Sequence, residues 1–228
     1  MMVDNLRGGL LGRSDAELRA LVTKESNTQI FSLQVFNPRF MAMFVEEIEN
    51  FERSGLPVSR PNSMNNYGVI LHDLGFTPLM DHLVVSYLAP LARALYPHDE
   101  AAQNLDSHHS FIVQYRMTED LDLGFHFDDS DVTLNVCLGK QFTGGELYFK
   151  GLYFNPETHK EDLSLGHTAG RGYIHLGQHR HGAQPITSGE RYNLIVWGRN
   201  NQVREARETQ AHMHHHHHHH HGDDEEDH

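Results

Sequence analysis

The order of apolar and polar residues divides the chain into a helical first part and a strand-rich second part. Ser14 stands three residues before Glu17 in a capping-box arrangement, which predicts a short helix over residues 14–21. Apolar residues recur at helical spacing over residues 36–53, and the Ser-Gly-Leu-Pro turn at 54–57 ends this helix. A third helix is predicted over residues 78–95, with a kink at Pro90 because proline has no backbone N–H to donate.

From Ser107 onward the pattern changes to short segments of β-branched and aromatic residues. Five strands are predicted, separated by glycine-containing turns, over residues 111–117, 131–138, 146–154, 171–176 and 191–197. Many short antiparallel strands with helices in front indicate a mainly β protein, organised as a double-stranded β-helix, or jelly-roll, barrel.

These patterns predict three segments. Residues 1–105 form an N-terminal support region of helices and strands, residues 106–200 form the β core, and residues 201–228 form a disordered tail. The tail holds a run of histidines followed by acidic residues, a composition that cannot pack a core. Two interpretations of the tail remain open, an added affinity tag and a native low-complexity segment.

Composition narrows the classes of function. The formal net charge of −13 argues against a protein that binds nucleic acid by neutralising phosphates. The single cysteine, Cys137, excludes an intramolecular disulfide and a thiolate-rich metal site. No run of residues is long and apolar enough for a signal peptide or membrane span, so a soluble intracellular protein of the cytoplasm or nucleus is expected. The oligomeric state is not predicted.

One pair of residues carries candidate metal chemistry. His126 and Asp128 are two positions apart, and in an extended chain such residues project from the same face. One imidazole and one carboxylate make up two-thirds of the 2-His-1-carboxylate site that binds non-haem Fe(II) and leaves coordination positions open. A second histidine must come from elsewhere in the chain.

Three histidines compete for that position, namely His175, His179 and His181. His181 is favoured because Arg191 follows it ten residues later, across a Pro- and Gly-containing turn that can reverse the chain. A guanidinium suits a carboxylate partner because it donates two parallel hydrogen bonds. His179 is the main alternative, whereas His175 is expected to be packed or on the surface.

The strand over residues 131–138 has one polar face, formed by Thr133, Asn135 and Cys137. A polar face on a barrel strand indicates either a ligand-lined interior or exposure to solvent. In the last predicted strand, Tyr192 and Trp197 are expected to be core aromatic residues.

Residues 110–199 resemble the 2-oxoglutarate- and Fe(II)-dependent dioxygenases of the prolyl/lysyl hydroxylase type. This family includes the catalytic domain of procollagen lysyl hydroxylases and the 2-oxoglutarate and iron-dependent oxygenase domain-containing proteins. The matching stretches are FIVQY, HFDD, DVTLNVCLG, FTGGELYF and HGAQPITSGERY. The resemblance implies that His126, Asp128 and His181 ligate iron.

It further implies that Arg191 pairs with the far carboxylate of 2-oxoglutarate and that the Tyr115 hydroxyl reaches the same carboxylate. The polar face with Thr133 and Asn135 would then point inward, toward the co-substrate. The implied cofactors are Fe(II), 2-oxoglutarate and dioxygen, with L-ascorbate as an accessory.

The expected reaction is hydroxylation of an unactivated C–H bond, with succinate and carbon dioxide as co-products. A protein or peptide side chain, such as that of proline or lysine, is the expected acceptor, and a small molecule is the alternative. Two other interpretations remain open, a non-catalytic metal-binding jelly roll and a zinc hydrolase that uses the same ligands. No nucleic acid or membrane partner is expected.

Overall fold

The computed structural model of the chain describes residues 1–219, and residues 220–228 lie outside the described part. The α-helices are α1 to α5, at Asp15–Ala20, Pro38–Arg53, Thr77–Leu83, Ala89–Leu95 and Asn201–His219. The strands are β1 to β12, at Thr23–Lys24, Phe31–Gln34, Gly68–Ile70, Ser107–Arg116, Leu123–His126, Val132–Gly139, Phe142–Gly144, Leu147–Leu152, Leu163–Leu165, Arg171–Leu176, His179–Ala183 and Ile186–Arg199.

Side-chain caps begin the first two helices. The Ser14 hydroxyl accepts a hydrogen bond from the Glu17 backbone N–H at 3.2 Å, as the capping box predicts. Helix α2 begins two residues later than the periodicity suggested, because the Asn37 side chain caps it by accepting from the Phe40 N–H at 2.8 Å.

The third predicted helix is interrupted before Pro90. Between α3 and α4, residues Val84–Leu88 form a π-helical turn. Pro90 cannot donate to the carbonyl of Ser86, four residues earlier, and that carbonyl instead accepts from the Leu10 N–H at 2.8 Å. The helix is therefore irregular just before the proline, and the Ser86 carbonyl joins the N-terminal segment to it.

The strands form two antiparallel sheets, which confirms the predicted mainly β class with N-terminal helices. The larger sheet has the order β1-β2-β10-β6-β12-β4-β3, and β7 pairs with the start of β12. The smaller sheet has the order β5-β11-β8-β9. Among the described residues, strand pairing does not join the two sheets into a closed barrel.

The larger sheet is buried on both faces. Its apolar face, which includes Val132, Leu134 and Val136 of β6, packs with helices α2 to α4 in the main hydrophobic core. Its other face meets the smaller sheet, so that the ring of Phe149 on β8 lies 5.5 Å from the ring of His175 on β10. The polar positions of β6 therefore face the space between the sheets.

The first 105 residues contribute directly to the larger sheet, because β2 pairs with β10 and β3 pairs with β4. At the other end, the predicted disordered tail differs from the structure over residues 201–219, which form α5. The Asn200 side chain accepts from the Val203 N–H, and Arg204 pairs with Asp129 at 2.8 Å, so the helix is anchored to the core. The disorder predicted for residues 220–228 lies outside the described residues.

The three-segment division itself remains a prediction. Within residues 1–219, no helix combines the length and the apolar character needed to cross a membrane. The intracellular location also remains a prediction.

Candidate active site

A cavity of about 130 Å³ lies between the two sheets. Side chains from β4, β6, β10 and β12 of the larger sheet and from β5 and β11 of the smaller sheet line it. The cavity contains all seven residues for which the sequence predicts a metal or co-substrate role: His126, Asp128, His181, Arg191, Tyr115, Thr133 and Asn135.

His126, Asp128 and His181 form a compact triad. Strand β11 pairs with β5 so that His181 lies directly opposite His126, and Asp128 follows two residues after the end of β5. The Nε2 atoms of His126 and His181 lie 3.2 and 3.4 Å from Asp128 Oδ1. One ligand atom from each residue lies within 4.8 Å of the other two, a spacing suited to a single metal ion.

Hydrogen bonds orient all three side chains of the triad. The Nδ1 atom of His126 contacts the Gly124 carbonyl, and Nδ1 of His181 contacts the His179 carbonyl, each at 2.7 Å. Since a carbonyl only accepts, Nδ1 carries the proton in each ring and the Nε2 lone pair is left for a metal.

The Thr133 hydroxyl donates to Asp128 Oδ2 at 2.7 Å, which leaves Oδ1 facing the imidazoles. Two imidazoles and one carboxylate with this orientation fit a non-haem Fe(II) ion.

The charge of Asp128 is stabilised by its neighbours. Burial alone would raise the pKa of this carboxyl, but His181 and His126 more than offset that effect and hold the pKa well below its usual range. Burial lowers the pKa of His181 and Asp128 raises it, and the net pKa lies above that of a free imidazole. The triad is therefore an anionic carboxylate between two imidazole rings.

The other two candidate histidines lie outside the triad. The Nε2 atom of His179 contacts Glu161 Oε2 at 2.6 Å, and His179 is not among the residues that line the cavity. His175 is fully buried and lines the cavity, and its ring lies 4.6 Å from that of His181. Burial first, and then the neighbouring His181, lowers the pKa of His175 to about 3, so its ring is neutral at physiological pH.

Arg191 lies in the same cavity and is only 1% exposed. Its guanidinium donates to the Gly145 carbonyl, to Asn193 Oδ1 at 3.1 Å and to His167 Nδ1 at 2.9 Å. Among the described residues no carboxylate lies within ion-pair distance of it. A buried cation without an anion is costly, so this end of the cavity favours a bound anion.

Glycine is required beside Arg191. Gly145 has a positive φ of +71°, and a Cβ at this position would lie 2.8 Å from Arg191 Nη1. The Thr143-Gly144-Gly145 turn therefore allows a backbone carbonyl to approach the guanidinium closely.

Tyr115 and Asn135 also belong to the arginine end. The ring of Tyr115 lies 5.8 Å from the guanidinium carbon of Arg191, and its hydroxyl accepts from Asn65 Nδ2 at 3.4 Å. Burial raises the pKa of Tyr115, so the phenol stays protonated. Asn135 Oδ1 accepts from Asn193 Nδ2 at 2.9 Å.

The sequence analysis did not identify several residues that line the cavity or contact Arg191. Trp197, expected in the core, lines the cavity, and its buried indole N–H has no acceptor among the described residues. Strand alternation from Arg191 would have found Asn193 and Trp197, because residues two apart share a face. No local pattern marked His167 or Asn65, which reach the site from loops.

Exposed aromatic side chains lie in the two segments that contain Phe127 and its neighbour Tyr153. We call Phe125, Phe127, Tyr153 and Phe154 the aromatic rim, and each is between 47% and 60% exposed. Phe127 lines the cavity and packs against Tyr153, with ring centroids 5.0 Å apart. Clustered exposed aromatic rings are typical of interaction sites.

Sequence comparison relates the chain to known oxygenases. Residues 2–100 match the family model of the OGFOD2-like domain. The chain is 46% identical over 197 residues to the human 2-oxoglutarate and iron-dependent oxygenase domain-containing protein 2, covering 84% of this chain and 56% of that protein. It is 43% identical over 212 residues to the Arabidopsis thaliana 2-oxoglutarate and iron-dependent oxygenase domain-containing protein ICU11, covering 89% of this chain and 53% of that protein. The chain thus spans about half the length of these relatives.

Solved structures share the fold. A prolyl hydroxylase from Trichoplax adhaerens, in complex with a hypoxia inducible factor oxygen degradation domain peptide fragment, superimposes with a TM-score of 0.57 at 11% identity. The superposition covers 79% of this chain and 87% of that one. At this identity the likeness concerns the fold alone, and it agrees with the predicted jelly-roll class.

Proposed function

The chain belongs to the 2-oxoglutarate- and Fe(II)-dependent oxygenase superfamily, and from this premise we propose that it hydroxylates an unactivated C–H bond of a protein or peptide side chain. Succinate and carbon dioxide are the co-products. L-Ascorbate is an accessory reductant in this proposal, as the resemblance to hydroxylases implies.

One observation carries the proposal. The cavity combines a 2-His-1-carboxylate triad with a buried arginine that has no carboxylate partner in the described chain. The triad supplies ligands for Fe(II), and the arginine supplies a site for the free carboxylate of a 2-oxo diacid. A protein that only stores metal has no use for this second feature.

The roles of the residues follow from their positions. His126, Asp128 and His181 would hold the iron, and bound iron supplies the oxidative chemistry that couples 2-oxoglutarate decarboxylation to C–H hydroxylation. Thr133 fixes the orientation of Asp128, while Arg191 and Tyr115 anchor the far carboxylate. The surrounding strands exclude bulk water, because Arg191 and His175 are almost completely buried.

The aromatic rim supports a polypeptide acceptor. A small molecule that fits inside the cavity would not need the exposed rings outside it. Phe127 connects the cavity with Tyr153, so an acceptor side chain could enter while its flanking residues pack on the rim. The hydroxylase with a bound peptide, which shares this fold, is consistent with such an arrangement.

Succinate release from 2-oxoglutarate tests the reaction class. Purified chain with Fe(II), ascorbate and dioxygen is expected to release succinate, and His126→Ala is expected to abolish the release because a metal ligand is lost. His72→Ala is the matched control, since His72 is exposed and its ring contacts Thr77 at 2.7 Å. Equal turnover by wild type and His126→Ala would refute the oxygenase proposal.

A peptide array tests the acceptor class. Peptides that gain the mass of one oxygen atom with wild type but not with His126→Ala identify a polypeptide substrate. Tyr153→Ala is expected to slow this modification while leaving the affinity for 2-oxoglutarate unchanged, because Tyr153 lies outside the cavity. Modification of small molecules but of no peptide would favour a small-molecule oxygenase. Metal-dependent hydrolysis without 2-oxoglutarate would favour the zinc hydrolase.

A further inference from the structure

The guanidinium of Arg191 is held by neutral acceptors. Gly145 provides a backbone carbonyl, Asn193 provides an amide oxygen at 3.1 Å, and His167 provides a ring nitrogen at 2.9 Å. Arginine has five N–H donors, so these three contacts leave one N–H on each terminal nitrogen. Two free donors suffice for a two-pronged hydrogen bond to a carboxylate.

The protonation of His167 is determined by its surroundings. Its Nε2 atom contacts the Arg171 carbonyl at 2.8 Å and must donate there, so Nδ1 carries the lone pair that accepts from Arg191. The ring is buried between β9 and β10 and packs against Tyr173 at 4.9 Å. Burial, reinforced by the Arg191 charge, lowers the pKa of His167 to about 3, so the ring remains a neutral acceptor at physiological pH.

A neutral acceptor differs in an important way from an acidic one. A buried arginine is usually paired with Asp or Glu, which orients the guanidinium but also compensates its charge. An imidazole in the same position orients the guanidinium and leaves its full charge uncompensated. An incoming carboxylate then meets an oriented cation whose charge no residue of the described chain has already paired.

We propose that His167 is a positioning residue of the 2-oxoglutarate site, which holds Arg191 in place as a neutral acceptor and thereby preserves its charge for the far carboxylate of the co-substrate. This inference rests on the proposed function. It predicts that the charge of the residue at position 167, and not only its shape, determines selectivity for a 2-oxo diacid over a 2-oxo monoacid.

The test compares His167→Gln with His167→Glu, two side chains of similar size and different charge. Calorimetry on protein loaded with Mn(II), as a redox-inert substitute for iron, gives the affinities for 2-oxoglutarate and for 2-oxovalerate, which lacks the far carboxylate. The ratio of the two affinities isolates the contribution of Arg191. Mn(II) affinity, measured in parallel, reports whether the triad is intact.

Wild type is expected to prefer 2-oxoglutarate. His167→Gln should retain this preference within about threefold, because an amide oxygen can replace Nδ1 as acceptor, while His167→Glu should lose at least about tenfold by pairing with Arg191. Mn(II) affinity should stay unchanged in both variants. Equal losses in Gln and Glu, or no loss in Glu, would overturn the inference and leave the proposed function standing.

Two further variants complete the design. His159→Glu is the control, because His159 also contacts a backbone carbonyl through Nε2, that of Leu152 at 2.8 Å, but is not one of the three acceptors of Arg191. If His167→Glu does not fold, His167→Ala tests the inference instead. Loss of the acceptor should lower the preference for 2-oxoglutarate over 2-oxovalerate, while the affinity for 2-oxovalerate is kept. An unchanged preference in His167→Ala would refute the role of His167. A wild type that binds 2-oxoglutarate no better than 2-oxovalerate would instead refute the proposed function itself.

Discussion

The two ends of the cavity are opposite in charge, and each is suited to a bound ion of the opposite sign. At the triad, a buried carboxylate is surrounded by imidazoles, whereas at the arginine end a buried guanidinium is surrounded by neutral acceptors. The first arrangement favours a cation and the second an anion. The comparison indicates that the cavity is built for two different ligands, and that each end can be disrupted without the other.

The largest expected effect is at the triad. Asp128→Asn removes the one anionic ligand and should weaken Mn(II) binding by more than about 100-fold, since changes behind metal ligands already cost about 10- to 100-fold. Calorimetric titration measures this. Asp162→Asn is the control, because Asp162 is exposed and pairs with Lys150 on the surface. Unchanged Mn(II) affinity in Asp128→Asn would show that the triad is not the metal-binding site.

The next effect concerns the arginine end alone. Arg191→Met should lower the affinity of the Mn(II)-loaded protein for 2-oxoglutarate by about 30-fold or more, the usual result of removing one partner of a buried charge pair. Affinities for Mn(II) and 2-oxovalerate should be retained. Arg93→Met on α4, an exposed arginine, controls for the loss of a positive charge. A parallel fall in Mn(II) affinity would mean that the two ends are not independent.

A smaller effect is the pH dependence of stability at the arginine end. The pKa of His167 is about 3 in the folded chain against 6.5 for a free imidazole, so between these values the unfolded state binds the additional proton. The free energy of unfolding should therefore fall as the pH is lowered through this window, by up to about 1.4 kcal/mol per pH unit from this side chain.

His167→Gln should remove the contribution of this side chain to the change of the free energy of unfolding with pH. Urea denaturation of the metal-free protein at pH 7, 6 and 5 measures that free energy. The same slope in wild type and variant would show that His167 is protonated in the folded chain. The assignment of His167 as a neutral acceptor for Arg191 would then be wrong.

The smallest effect is spectroscopic. The chain contains one tryptophan, and Trp197 pairs in register with Thr133, whose hydroxyl holds Asp128. Co(II) bound at the triad should partly quench Trp197 emission, while Zn(II) should quench it less because it has no partly filled d shell. The Co(II) effect should disappear in Asp128→Asn. Equal quenching in that variant would indicate that the metal binds elsewhere.

Local patterns in the sequence were sufficient to predict those features of the fold and the site that depend on residues close together in the chain. The spacing of His126 and Asp128 is a property of any extended strand, and the face of β6 with Thr133 and Asn135 follows from the alternation of side chains. The capping box predicted α1, and the missing N–H of Pro90 predicted an irregularity in the third helix, which has a π-helical turn just before this proline. In each case the physical cause lies within a few residues.

The sequence was less informative where distant segments meet. It favoured His181 as the third ligand but kept His179 as the main alternative, and it assigned Trp197 to the core. His167 and Asn65 carry no local pattern at all, although both contact residues of the arginine end. The first 105 residues also supply Asn65 and three strands of the larger sheet beyond their predicted supporting role.

The sequence by itself determined the class of the fold, the kinds of ligand available to a metal and the presence of an arginine suited to a diacid. Only the tertiary structure decided which histidine completes the triad, because the pairing of β11 with β5 places His181, and not His179, opposite His126. It also decided that Arg191 is surrounded by neutral acceptors. The reason is that strand register and loop packing join residues far apart in the chain, and no local periodicity encodes those distances.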